Sequence, residues 1–357
     1  MSENTNIVDM SNKQKEKIRS LVNGYYDIQK LRIATGNRIV QSFNIQMGQE
    51  PQTKQDDMDK EVQKMIDTLR GEYARITDAY TLGSFATSVA DENGKSKKVD
   101  IQVGTMSSIN KAIKAMNENK DADIKYIRSK LDYDMISTYV SLRDTEDKTL
   151  KIISKEVEEH PLWDKFFKDV KGCGPLMSAV CIAYFDVAKA RHVSSFWKYA
   201  GLDVVQVLDD ENAEVPTYHG EGRARKHTEV RNYSDKDGNI KEKKGLTYNP
   251  DLKTKLLGVL GTSFLKKPGC KYEQIYRDMR ARYDQRQDTK EYSDLHKHRM
   301  ANRYMIKMFV RDLWVTWREL EGYEVSEPYE VAKLKMKPHK YNEVHEEAAM
   351  RTRKPAI

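Results

Sequence analysis

The sequence predicts a mainly α-helical protein: an antiparallel coiled coil and a helix–hairpin–helix helical domain, with small β-hairpin insertions. Three observations predict it. Apolar residues recur at three- and four-residue steps through two long polar-rich segments, 13–46 and 122–159. The run VKGCGPLMSAV, Val170–Val180, sets two glycines one residue apart and then Pro175 between two short apolar stretches. Glycine (18) and proline (9) are too scarce in 357 residues to punctuate a β-sandwich.

In residues 13–46 the positions Ile18, Leu21, Val22, Tyr25, Ile28, Leu31 and Ile39 form one stripe, so 1–46 is expected to be the first coiled-coil helix. Residues 47–121 read as an insertion at the coil tip. A helix is expected there over 57–80, and TLGSFATSV and KKVDIQVG alternate as strands around DENG, which suggests a small hairpin. The second coil helix, 122–159, carries Met135, Tyr139, Leu142, Glu146, Leu150, Ile153 and Val157, a near-heptad with Glu146 as a polar interruption. A coiled coil and two ordinary bundle helices both fit these two segments.

His160-Pro161 opens the helix–hairpin–helix module, 160–202, with Ser194 or Ser195 as the cap of its last helix. Residues 203–320 are expected to form a basic loop followed by a helical nucleic-acid-binding domain. In it EVRNYSDKDGNIKEKKG reads as a hairpin turning at Asp237-Gly238, followed by helices at about 250–266, 270–286 and 296–320. The tail, 321–357, is poor in apolar residues and is expected to wrap the surface or to be partly disordered.

Residues 1–150 hold 23 basic and 23 acidic side chains, whereas 219–311 hold 23 against 12, a local balance of +11. So concentrated a positive field suits a polyanion, although a solvated lysine-rich face has the same composition. No apolar run is long enough to span a membrane, and the polar N-terminus has no signal core, so the expected location is the cytoplasm. Cys173, Cys181 and Cys270 are well separated and read as free buried thiols. His296 and His298 have no third ligand near them, so no metal and no cofactor are expected.

A tight turn between packed helices and a backbone cradle for a phosphate both fit Val170–Leu176. Glycines at 172 and 174 allow close approach, and a helix starting at Pro175 turns its positive end toward an anion. Lys171 adds charge and Ser178 a hydroxyl one turn later, so Lys171, Gly172, Gly174 and Ser178 are candidate backbone contacts. The densest basic element, Arg223, Arg225, Lys226, His227 and Arg231 with Lys243 and Lys244, forms the second candidate set. On the last helix Ile306, Phe309, Val310, Leu313, Trp317 and Leu320 make a core face. The adjoining face holds Arg303, Lys307, Arg311, Trp314 and Arg318, a basic stripe with one aromatic. Tyr218, Tyr233 and Tyr248 are candidates for stacking on bases.

The stretch Lys171–Leu202, KGCGPLMSAVCIAYFDVAKARHVSSFWKYAGL, resembles the C-terminal domain of insertion-sequence transposases that carry a DEDD RuvC domain and use a bridge RNA. The shared features are the glycine hairpin, Asp186 after the second helix, and Tyr199-Ala200-Gly201-Leu202. Leu252–Tyr283 and His298–Glu319 resemble that family's last helices, and Leu21–Ile39 its coil. Two of its parts are missing. VDIQVGT, Val99–Thr105, mimics one nuclease strand, but Asp100 alone cannot hold two metals. DVVQVLDDENAEV, Asp203–Val215, lacks the nucleophilic serine. A coil and hairpin without a nuclease resembles the Tas proteins of tandem-interspaced-guide-RNA systems, which are similar to the Nop proteins of box C/D ribonucleoproteins. That resemblance implies a Nop-like fold, a homodimer, a bound short guide RNA and a target DNA that is paired but not cleaved, so no enzyme is expected. A guide-free DNA-binding protein derived from a transposase, and a non-catalytic structural or interaction protein, are the two alternatives.

Overall fold

A computed structural model of the chain describes residues 2–46, 50–52, 60, 84–90, 96–102, 130–209, 217–327, 335, 341 and 343–352. They are mostly helical with small antiparallel β-hairpins, as the sequence predicts, and fall into two compact units. One is Met1–Val22 with Ile153–Ile357, the other Asn23–Ile152. Two long helices, α1 (Ser2–Gln46) and α2 (Lys130–Glu158), contribute to both.

In the Asn23–Ile152 unit, α1 and α2 run antiparallel. Gln29 and Arg32 of α1 both reach Glu146 of α2, and Gly36 lies against Tyr139, where a Cβ would stand 3.1 Å from the ring. Tyr25, Ile39, Ile136 and Val140 are buried with them. Glu146, the polar interruption of the stripe, is itself buried and held by hydrogen bonds from Gln29 (2.9 Å) and Arg32. Burial works against its ionisation, but the bonds from Arg32, Gln29 and Tyr25 outweigh that and lower its pKa. Burial, then Glu146, push the Tyr25 phenol up to about 12. The tip hairpin is present as β1 (Ser84–Ala90) antiparallel to β2 (Ser96–Gln102), with Ser84 opposite Gln102 and Ala90 opposite Ser96. Its DENG turn, and the helix expected over 57–80 apart from Lys60, lie outside the described residues.

The second unit is built around α9 (Asp294–Leu320), whose start is fixed by Ser293, which accepts the His296 N–H at 3.3 Å. Its core face is as expected, with Ile306, Phe309, Val310, Leu313 and Trp317 buried. Phe309 meets Phe166, Phe264 and Tyr272 at centroid distances of 5.7, 5.4 and 5.4 Å. Burying each such ring contributes about 1.5–3 kcal/mol, so this cluster anchors the unit.

The hairpin module packs onto that core. α3 (Pro161–Lys165) starts at His160, whose Nδ1 accepts the Leu162 N–H at 3.2 Å. Burial lowers the His160 pKa to about 4, which keeps this acceptor neutral. A 3₁₀ turn over Phe167–Asp169, α4 (Pro175–Tyr184) and α5 (Val193–Tyr199) follow. The residue before α5 is His192, with no side-chain cap; Ser194 and Ser195 lie inside the helix, contrary to expectation. Gly201, at φ +65°, seats the Tyr248 ring, which a Cβ would meet at 2.5 Å. Tyr248 is therefore a buried anchor and not a stacking platform.

Two hairpins project from residues 203–250. β5 (Thr228–Ser234) and β6 (Ile240–Leu246) form the expected one, with Gly238 at φ +84° and Asp235 accepting the N–H groups of Asp237 and Asn239, both at 2.9 Å. The other, β3 (Val204–Leu208) with β4 (Tyr218–Gly222), is not foreseen in the sequence. α6 (Pro250–Thr254), a π-helical turn over Lys255–Leu260 and α7 (Gly261–Lys266) lead to α8 (Lys271–Gln285), which packs along α9. The tail contains α10 (Glu343–Thr352), whose buried His345, Ala348 and Ala349 face α9. All three cysteines are free and buried, and burial raises the pKa of Cys173 and Cys181.

Candidate nucleic-acid interface

The glycine hairpin is a turn in which the Cys173 N–H donates to the Val170 carbonyl at 3.0 Å and Gly172 takes φ +94°. That is the left-handed third position of a tight turn, where glycine is favoured. Packing is tight there as well: a Cβ on Gly172 would stand 3.1 Å from Phe264, and the Gly172 carbonyl accepts the Ser263 hydroxyl at 2.7 Å. Gly174 differs. Its φ is −77°, and a Cβ there would meet nothing within 4 Å. Nothing in the protein's own packing requires that glycine, and it leaves the start of α4 open to a close neighbour.

Lys171 is exposed at the mouth of a cleft of about 300 Å³, to which Lys165 and Lys271 also contribute. Lys271 already holds Asp312 at 2.7 Å, so Lys165 and Lys171 supply the cleft's positive charge against Asp169. Ser178 is fully buried: its hydroxyl donates to the Gly174 carbonyl at 3.1 Å and lies 3.7 Å from Cys173 Sγ. It serves the helix start and has no surface to offer a ligand. Asp186 lines a second cleft, of about 290 Å³, and pairs with Lys15 at 3.3 Å and Lys189 at 3.6 Å.

The second candidate set splits by role. Arg223 is buried and structural, with Nε and Nη2 each 2.7 Å from Asp203 and Nη1 donating to Thr247. His227 closes the following turn by accepting the Ala224 N–H at 2.9 Å, and Lys226 pairs with Glu221 at 2.5 Å. Arg225 is exposed beside them. The ribbon β5–β6 carries the rest and buries none of its central residues. Strand alternation puts Glu229, Arg231 and Tyr233 on one face, opposite Gly245, Lys243 and Lys241. Arg231 and Lys243 are direct cross-strand partners, and neither makes an ion pair among the described residues. Lys241 is held by Asp235 at 2.7 Å. Lys244 belongs to the other face, opposite Val230. The face thus presents two like charges side by side, next to the exposed Tyr233 ring.

The expected stripe on α9 is not a surface. Trp314 is fully buried, its indole N–H donating to the Ala190 carbonyl at 2.8 Å. Arg311 is buried and grips Asp312 at 2.6 Å, while Arg318 donates to the carbonyls of Glu324 and Ala190. Lys307 lies 4.2 Å over the Trp197 ring, and Arg303 is half-buried against Gly222. Of the stripe, Arg303 and Lys307 keep access to solvent. Sequence reasoning missed Lys165 and Lys253, which only folding brings beside Lys171 and Arg303; no local pattern marks either.

No protein-family model matches the chain, no curated protein does, and no solved structure does. Among the described residues no helix is long and apolar enough to cross a membrane, and no group of three His, Cys, Asp or Glu side chains is placed to hold a metal ion.

Proposed function

We propose that the chain binds the sugar-phosphate backbone of a nucleic acid, with the β5–β6 ribbon and the Lys165–Lys171 cleft as its contact surfaces. One observation carries this reading. Arg231 and Lys243 face one another across an exposed ribbon, where like charges directly opposite destabilise the pairing. The ribbon buries no core that would offset that cost. A polyanion laid along the face relieves the repulsion and gains two contacts, and Tyr233 can stack on a base.

The finer reading is a short guide RNA held by a nuclease-free homodimer with a Nop-like helical domain and coiled coil, which directs the protein to a paired DNA without cutting it. It rests on the resemblance of Lys171–Leu202 to the guide-RNA and bridge-RNA families. Purification from the native host and sequencing of the co-purifying RNA tests it. A discrete short species with repeated ends and a variable interior supports the guide, and heterogeneous RNA or none defeats it. A two-stranded ribbon also fits the DNA major groove, which favours direct duplex binding as the second reading. Affinity for duplex DNA that survives ribonuclease treatment would select it.

Both readings require the ribbon. Lys243→Gln should weaken binding and reduce the slope of log K against log salt by about 1, as one lost phosphate contact does. The melting temperature should not fall, because one of two repelling charges is gone. An unchanged slope would remove the ribbon from the interface.

A further inference from the structure

At the end of β4, the Gly222–Arg223 peptide has two cations against it, neither in direct contact with a carboxylate among the described residues. The nearby acid, Asp203, gives both its oxygens to Arg223, at 2.7 Å each. From α9, Arg303 lays its guanidinium on Gly222, with Nη1 1.9 Å from where a Cβ would stand, so a side chain there would displace it. From α6, Lys253 donates its ammonium to the Arg223 carbonyl and lies 5.3 Å from the centre of the Tyr248 ring. Neither cation forms an ion pair among the described residues, and Arg303 makes no hydrogen bond to any of them. Both are half-buried. Burial lowers the pKa of each, and repulsion from Arg303 lowers that of Lys253 further; the Asp203 carboxylate opposes this in both without reversing it. Two desolvated like charges at one peptide are unfavourable until an anion joins them.

We infer that Arg303 and Lys253 form a phosphate-binding site. A planar guanidinium that can take two oxygens, beside an ammonium with donors left over from its bond to the Arg223 carbonyl, matches a tetrahedral oxyanion. The site deepens the nucleic-acid reading, which supplies the polymer; the phosphate chemistry stands without it. A backbone diester, a terminal phosphate and free orthophosphate share that chemistry.

Thermal unfolding of the full chain in orthophosphate against chloride at matched ionic strength tests the site. The melting temperature is expected to rise with phosphate concentration, as for any ligand that binds only the folded state. Arg303→Gln and Lys253→Met should each abolish the rise, whereas Lys243→Gln on the ribbon should keep it. Lys253→Met retains an aliphatic stem against Tyr248, so it keeps the test valid should the Arg303 variant not fold. Equal melting temperatures in the two salts, or a rise that persists in the Arg303 and Lys253 variants, would overturn the site and leave the ribbon reading standing. Displacement of orthophosphate by short RNA with a terminal hydroxyl assigns a diester to the site. Displacement only by the terminally phosphorylated RNA assigns the end group, and displacement by neither assigns free phosphate.

Discussion

The residue with the most demanding surroundings is Asp312. One oxygen takes Arg311 Nη2 at 2.6 Å, and the other takes the Tyr272 hydroxyl at 3.0 Å and the Lys271 ammonium at 2.7 Å. Both members of the Arg311–Asp312 pair are almost wholly buried, at 3% and 4% side-chain exposure. Such a pair adds little net stability over apolar residues of the same volume, but loss of one partner strands a charge. Asp312→Asn should therefore destabilise the chain by about 3–5 kcal/mol in urea unfolding. Adding Arg311→Met should recover part of that loss, because the introduced amide still accepts from Tyr272 and no guanidinium is left unpaired. A double variant no more stable than the single would show that the charge is not the source of the cost. The same burial explains why Arg311 leaves the candidate site: in sequence it is one basic residue among others on a helix, and only the fold reveals its partner.

At the scale of elements, the pairing of α1 with α2 has a pH signature. Glu146 ionises more readily when folded than when unfolded, so its stabilisation is complete above 4.5, the ordinary value for a glutamate. It is lost as pH falls from there through the lowered folded value. Amide exchange over residues 23–46 and 130–152 should accelerate in that window. The acceleration should be smaller for Glu146→Gln, which has no such proton to gain; an identical acid response would exclude Glu146. The long helices are legible in the sequence because a stripe repeats over many turns, and β5–β6 because Asp237-Gly238 marks its turn. β3–β4 is not legible, since Tyr218–Gly222 reads YHGEG and has neither alternation nor strand-forming side chains. α10 escapes for a related reason: its buried surface is His345 and two alanines, not an apolar stripe. Its packing also misleads the reading of α9. Periodicity locates the face turned to the main core, but His345 lies 5.5 Å from the Trp314 ring and covers a second face. A stripe of Arg311, Trp314 and Arg318 looks solvated only while that cover is unknown.

For the whole molecule, the distribution of charge matters more than its sum. The chain carries +7, yet residues 1–150 are balanced and 219–311 hold +11. A polyanion approaching such a dipolar distribution is steered to one part of the chain, and the counterions it releases come from there. Solvation alone has no reason to concentrate lysines in this way, so the two accounts of the basic surface part company at individual side chains. Lysine acetylation with and without bound RNA or DNA separates them. Lys243 on the ribbon, and Lys165 and Lys171 at the cleft, should be protected, and Lys244 on the ribbon's other face less so. Lys30 and Lys148 are equally exposed in the balanced part and should react as in the free protein. Uniform protection would mean that the polyanion coats any positive side chain it meets, and the ribbon would be a solvated face after all. Protection of Lys243 that exceeds that of Lys244 and fades as salt rises would place the phosphate backbone across the Arg231–Lys243 pair.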